Sequence, residues 1–257
     1  MKNTKSKIIV VIALLLAIAG GTIYLFKTTD NNVEPVVDNV FEPVEVFNKE
    51  EKELLNRWKE NKAINDDYRF DIVFDSGIID LPVVQGDTNE KYERTDWGTM
   101  SHDEEGSIFM DYECTINSSN ITLYGHYVYP SIDPEQTHKF SPLTLLLDEE
   151  NYKDNSTLKL VLEDEIRYYQ IAYVFYCPLN YSIEGYYYVD DNAQYYIPEY
   201  TEDYFNTYKS YVEEKKLYDT GVNVNYGDKT LTLQTCVRNK DNQRQIVICK
   251  EISRKSD

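Results

Sequence analysis

Between Tyr68 and Cys249 the chain is a succession of short, apolar-alternating runs separated by turn residues, and this pattern limits the possible folds most. YRFDIVF is followed by an Asp75-Ser76-Gly77 turn and IIDLPVVQ, then by GSIFMDY and NITLYGH. STLKLVL and RYYQIAYVFY flank Glu163-Asp164-Glu165, and TLTLQTC and RQIVIC form the last pair. Runs this short, rich in β-branched and aromatic residues and bounded by Gly, Asp, Asn and Ser, are strands. Helical period occurs only between them. Asn48-Lys49-Glu50-Glu51 offers an N-cap with Glu three residues on, and Leu54, Leu55 and Trp58 follow at helical spacing. A brief helix is expected at 143–147. Beyond a tyrosine-rich connection and Thr201, Tyr204, Tyr208, Tyr211 and Val212 fall on one helical face. The fold class is mainly β with peripheral helices.

The N-terminus reads differently. Lys2, Lys5 and Lys7 precede an uncharged run at 8–26, IIVVIALLLAIAGGTIYLF. At about 1.5 Å per residue, nineteen helical residues span roughly 28 Å, the thickness of a bilayer's hydrocarbon core. The basic flank predicts a single-pass protein of the cell membrane, with a cytoplasmic tail at 1–7, a signal anchor at 8–26 and everything beyond outside. A cleaved signal peptide is the rival, because Ala17-Ile18-Ala19 resembles a cleavage site, but the apolar run continues through Tyr24-Leu25-Phe26. The acidic, proline-bearing segment 27–47 reads as an extracellular linker to a domain at 48–257.

Composition removes some functions. A net charge of −19 excludes nucleic acid as a partner. The four cysteines have neither metal-ligand spacing nor the look of a disulfide framework, and His102, His126 and His138 are scattered, so neither a metal nor another cofactor is expected.

The chemistry gathers at the last strand pair. TLTLQTC ends in Cys236, the polar stretch 237–243 follows, and Arg244 opens the next strand, so a hairpin brings thiol and guanidinium to one end of the sheet. Strand alternation puts Thr232, Gln234 and Cys236 on one face and Leu231, Leu233 and Thr235 on the other. NITLYGH likewise ends a strand at Gly125-His126. Cys, His and Arg on one rim could perform acyl transfer: a thiolate attacks a carbonyl, an imidazole moves the proton, a guanidinium steadies the oxyanion. Singly, each has a plainer reading: Cys236 a small core residue, His126 a turn residue, Arg244 a solvated charge.

ITLYGH, TLQTC and the arginine eight residues after that cysteine resemble the signature of the sortases, the cysteine transpeptidases of Gram-positive cell surfaces. The resemblance extends from about residue 48 to 252. LPVVQG, GSIFMDY, the leading helix and the helix at about 201–217 look like class B. It implies an eight-stranded β-barrel with His126 as acid/base, Cys236 as nucleophile and Arg244 as stabiliser of oxyanion and substrate. It also implies substrate contacts from Asn89, Gln234 and Thr235. Gln234 stands where class B commonly has Ser, and Glu93 where Leu is common; both bear on which sorting motif is recognised. Cys114, Cys177 and Cys249 have no place in this set, and His102 and His138 read as surface residues. The implied partners are secreted proteins with a C-terminal sorting signal and an amine acceptor on peptidoglycan precursor or a pilin. Two other functions compete. One is a cysteine peptidase of wall peptides, which usually has Cys before His; the other is a non-catalytic adhesin, which would need its own sorting signal, absent from the terminal CKEISRKSD.

Overall fold

A computed structural model describes residues 46–181, 187–238 and 240–256. All of these belong to one compact unit. Helix α1 (Lys49–Ile64) leads into β1 (Tyr68–Phe74) and β2 (Asp80–Val84); after a long excursion come β3 (Ile108–Met110) and β4 (Asn120–Tyr124). A 3-10 turn at Ser141–Leu147 and the short α2 (Glu149–Tyr152) precede β5 (Thr157–Val161) and β6 (Glu165–Pro178). A small pair, β7 (Asn180–Tyr181) and β8 (Tyr187–Tyr188), helix α3 (Glu202–Lys215), β9 (Thr230–Val237) and β10 (Lys240–Ser256) complete the order.

Eight strands close a barrel, as the resemblance implies, in the order β1-β2-β3-β4-β9-β10-β6-β5. Closure leaves the barrel itself with no free edge. Alternation then sorts the side chains. Leu231, Leu233, Val247 and Cys249 point into the barrel, whereas Phe175, Ile246 and Ile248 face outward into a second core with Tyr195, Phe205, Tyr208 and Val212. Thr201 starts α3 by accepting from the backbone N–H of Tyr204. Many of the tyrosines find their place here, as stacked rings between α3 and the barrel wall: Tyr200 lies 5.9 Å from Tyr204 and 5.4 Å from Tyr208. The brief helix expected at 143–147 is present as a 3-10 helix, Ser141–Leu147, with Pro142 in its first turn.

α1 is fixed at both ends. Asn48 and Glu51 form a reciprocal capping box, at 2.9 Å and 2.8 Å. Glu51 also accepts from Tyr168 on β6 and, at 2.7 Å, from Lys255 on β10. Farther along, Arg57 bridges Asp71 and Asp80 at 2.8 Å and 2.5 Å, and Trp58 donates to the Arg69 carbonyl at 2.9 Å.

The expectation of a single-pass membrane protein is not met: among the described residues no helix is long and apolar enough to cross a membrane. α1, at 16 residues, spans only about 24 Å and is studded with Lys and Glu. The run at 8–26 on which that expectation rested lies outside the described residues.

Glu51 yields a stability prediction. Burial pushes its carboxyl up, but Lys255, Tyr168 and the Asn48 N–H outweigh this and hold it down at about 2. A depressed carboxyl contributes stability that is present above the unfolded value, near 4.5, and is lost as pH falls toward 2. Glu51→Gln should therefore cost on the order of 2 kcal/mol at pH 7 and flatten the decline in stability between pH 4.5 and 2, read by urea unfolding across that range.

Candidate active site

β4 and β9 are neighbours and parallel, with Asn120 opposite Thr230 and Tyr124 opposite Gln234. The backbone N–H of Gly125 donates to the Gln234 carbonyl at 3.1 Å, carrying the ladder past the end of β4. Two residues beyond the Tyr124–Gln234 pair stand His126 and Cys236. β9 and β10 are antiparallel, with Cys236 opposite Arg244. Cys236 and Arg244 are thus a cross-strand pair about 5 Å apart, and His126, two residues past the end of β4, extends the row on the same cleft. Strand parity puts Cys236 and Arg244 on the outward face.

Gly125 permits this. A Cβ there would come within 2.5 Å of Ile108 and 2.6 Å of Phe140, so only glycine lets the chain turn against the barrel wall directly before His126. Irregular pairing permits the other end of the row. Between the pairs Lys240↔Val237 and Arg244↔Cys236, β10 advances four residues while β9 retreats one, leaving three extra residues in β10. The expected loop at 237–243 is thus partly strand, with a bulge just before Arg244; bulges re-aim side chains in this way.

An open cleft of about 280 Å³ lies over the row, lined by His126, Cys236, Arg244, Asn89, Gln234, Glu90, Glu93, Phe109, Tyr124 and Gly125. The structure therefore brings together all the expected site residues except Thr235. Thr235 is 1% exposed and shares the inner face with Leu233, so its side chain does not line the cleft. Parity had already put it on that face; the resemblance alone suggested the contact.

The imidazole of His126 is held by Nε2, 2.8 Å from the Glu93 carbonyl oxygen. A carbonyl only accepts, so Nε2 carries hydrogen and Nδ1 is left to exchange a proton. Asn89 is clamped on both sides of its amide: Nδ2 donates to Asp111 at 3.1 Å, and Oδ1 accepts the Tyr112 N–H at 3.0 Å. Asp111 also accepts from Tyr124 Oη at 2.6 Å. Burial and that carboxylate push the Tyr124 hydroxyl far above its usual range, so it stays a donor. Gln234 Oε1 accepts from the Tyr195 hydroxyl. Arg244 donates from Nη1 to the Gln243 carbonyl at 3.0 Å.

All four cysteines are free thiols, and only Cys236 is not buried. Burial pushes Cys114 up to about 12 and Cys177 up to about 11, and also raises Cys249, so these three stay protonated and unreactive at neutral pH. Cys177 is the partner of Arg244 on β6, where the guanidinium partly offsets the effect of burial. His102 and His138 face Glu104 and Glu105 on the surface, at 2.9 Å and 3.0 Å. Among the described residues no group of His, Cys, Asp and Glu is arranged to hold a metal.

Sequence reasoning missed three contributors. Asp111 had a faint signal, as an acid ending the apolar run IFM, but its role as acceptor for both Asn89 and Tyr124 is tertiary. Tyr195 lies in an aperiodic tyrosine-rich stretch, and the Glu93 carbonyl is backbone, which no residue pattern marks.

No family model matches the chain. Sortase B of Staphylococcus aureus is 23% identical over 214 residues, covering 80% of this chain and 79% of that protein. The X-ray structure of Clostridium perfringens sortase B is 29% identical, covers 76% of this chain and 99% of its own, and superposes with a TM-score of 0.59. An S. aureus sortase B–substrate complex is 21% identical, covers 78% and 86%, and superposes with a TM-score of 0.64.

The geometry at Gly125 can be tested directly. Gly125→Ala should cost about 1–3 kcal/mol through overpacking against Ile108 and Phe140. Denaturant unfolding should show the midpoint falling while the slope is unchanged.

Proposed function

We propose that this chain, a sortase-type cysteine transpeptidase most like class B, cleaves the sorting signal of a secreted protein at Cys236 and passes the acyl group to an amine. The acceptor would be an amine of peptidoglycan precursor or of a pilin. The observation that carries the reading is the single row of His126, Cys236 and Arg244 under one cleft, with Cys236 the one half-exposed thiol. The catalytic unit is residues 48–257.

Nδ1 of His126 takes the proton of the Cys236 thiol, and the resulting thiolate attacks the scissile carbonyl and forms the C–S bond. The C–N bond breaks as His126 gives its Nδ1 proton to the departing amine, leaving a thioester. The acceptor amine then attacks the thioester, its proton returns to Nδ1, and the C–S bond breaks to restore the thiolate. Through both tetrahedral states the oxyanion faces Arg244, whose planar fork can donate two directed hydrogen bonds where an ammonium offers only a point charge. Asn89, held by Asp111, and Gln234, held by Tyr195, contact the signal peptide. Both are fixed before substrate arrives, so little side-chain entropy is lost on binding.

Incubation with a panel of sorting-signal peptides in the absence of amine should leave an acyl adduct on Cys236, read by mass spectrometry. Cys236→Ala should be folded, unlabelled and inactive; retained transpeptidation in that variant would sink the proposal. Arg244→Lys should lose at least roughly tenfold in turnover and Arg244→Ala considerably more, with little change in melting temperature for either. A Lys variant with near-normal turnover would remove Arg244 from the directed-donor role.

A further inference from the structure

The excursion between β2 and β3 folds back on itself as a narrow hairpin. Ser107 N–H donates to the Tyr92 carbonyl at 3.0 Å, Asp103 N–H to that of Arg94 at 3.1 Å, and Asp96 N–H to that of Ser101 at 2.9 Å. Thr95 and His102 pair between them. The base of the hairpin is pinned by Tyr92, which is fully buried; its hydroxyl donates to Asp67 at 2.9 Å and accepts from Asn65 at 2.9 Å. The carbonyls of Tyr92 and Arg94 are thus spent inside the hairpin. That of Glu93, between them, faces out and accepts from His126 Nε2 at 2.8 Å.

Gly106 lies directly over that peptide. Its φ is +57°, and a Cβ would fall 2.2 Å from the Glu93 carbonyl oxygen, 2.7 Å from the Glu93 carbonyl carbon and 2.7 Å from the Tyr92 oxygen. All three near atoms are backbone, so nothing can swing aside. We infer that Gly106 is a positioning residue for His126: the bare α-carbon lets the returning limb of the hairpin close on the Glu93 peptide and holds its carbonyl where it fixes the imidazole with Nε2 protonated and Nδ1 free. This rests on the transpeptidase reading of His126. Any side chain at 106 must push the Glu93 carbonyl out of place, and the imidazole loses the acceptor that selects its tautomer.

The test compares three variants of the full-length chain, read by long-range ¹H–¹⁵N spectra of His126 beside turnover and KM for a cleaved peptide. Wild type should show the Nε2-protonated tautomer. Gly106→Ala should mix the tautomers and lower kcat at least about tenfold with KM within about threefold, since a sub-ångström misplacement acts on the chemical step. Gly77→Ala is the control: Gly77 also has positive φ, +79°, but nothing lies within 4 Å of its Cβ position, so it strains the backbone without touching His126 and should keep tautomer and kcat. Should Gly106→Ala fail to fold, Tyr92→Phe frees the base of the hairpin from Asp67 and should move both readouts in the same direction, by a smaller factor. A folded Gly106→Ala, or failing that Tyr92→Phe, with the wild-type tautomer and kcat would overturn the inference. If wild type itself forms no acyl adduct on Cys236, the transpeptidase reading fails instead, and the His126 spectra still decide the positioning role.

Discussion

Everything on the working rim depends on the parallel ladder between β4 and β9. A slip of one residue would turn Cys236 into the barrel and Thr235 out of it, because side chains alternate with a period of two. One buried amide opposes such a slip. Asn120, 1% exposed, accepts at Oδ1 from the hydroxyls of Thr230 at 3.0 Å and Thr232 at 2.8 Å, and donates from Nδ2 to the Tyr195 carbonyl at 2.8 Å. Any shift of β9 would leave several buried polar groups unpaired, at about 1–3 kcal/mol each. The same side chain that fixes the register therefore fixes the segment whose Tyr195 hydroxyl holds Gln234.

The outer core explains why the row is exposed at one end only. The side chains of β6 and β10 that face away from the barrel are covered by α3 and the tyrosine-rich segment before it, and Cys177, in the same row as Arg244 and Cys236, is fully buried there. Burial silences one thiol while its neighbour two strands away stays open to the cleft. The acidity of the molecule reaches the cleft as Glu90 and Glu93.

Much of this was legible in the sequence, for identifiable reasons. Strand runs betray themselves by alternation, and TLQTC with its arginine and ITLYGH mark the rim. Parity alone separates Cys236 from Thr235 and Cys249 from Arg244, and the structure keeps that separation, with Thr235 buried on the inner face. What stayed hidden is tertiary or belongs to the backbone. Nothing in residue type announces that Glu93 lends its carbonyl to His126, that Asp111 holds Asn89, or that β10 has three extra residues before Arg244. The helix at 143–147 was legible but its 3-10 hydrogen bonding was not, because short 3-10 and α helices look alike in composition.

The strand order has a temporal side. β10, the last strand of the described chain, is not at an edge; it lies between β9 and β6 and makes the barrel continuous. It also supplies Arg244 and, through Lys255, the cation that ties Glu51 of the first helix. A chain emerging from its N-terminus thus carries β9 with one neighbour missing until the final segment inserts. Such long-range closure is slow, because the loop entropy is lost before the contacts form. The enzyme's thiol and the guanidinium beside it come together only as the barrel seals, so the site is assembled by the step that completes the fold.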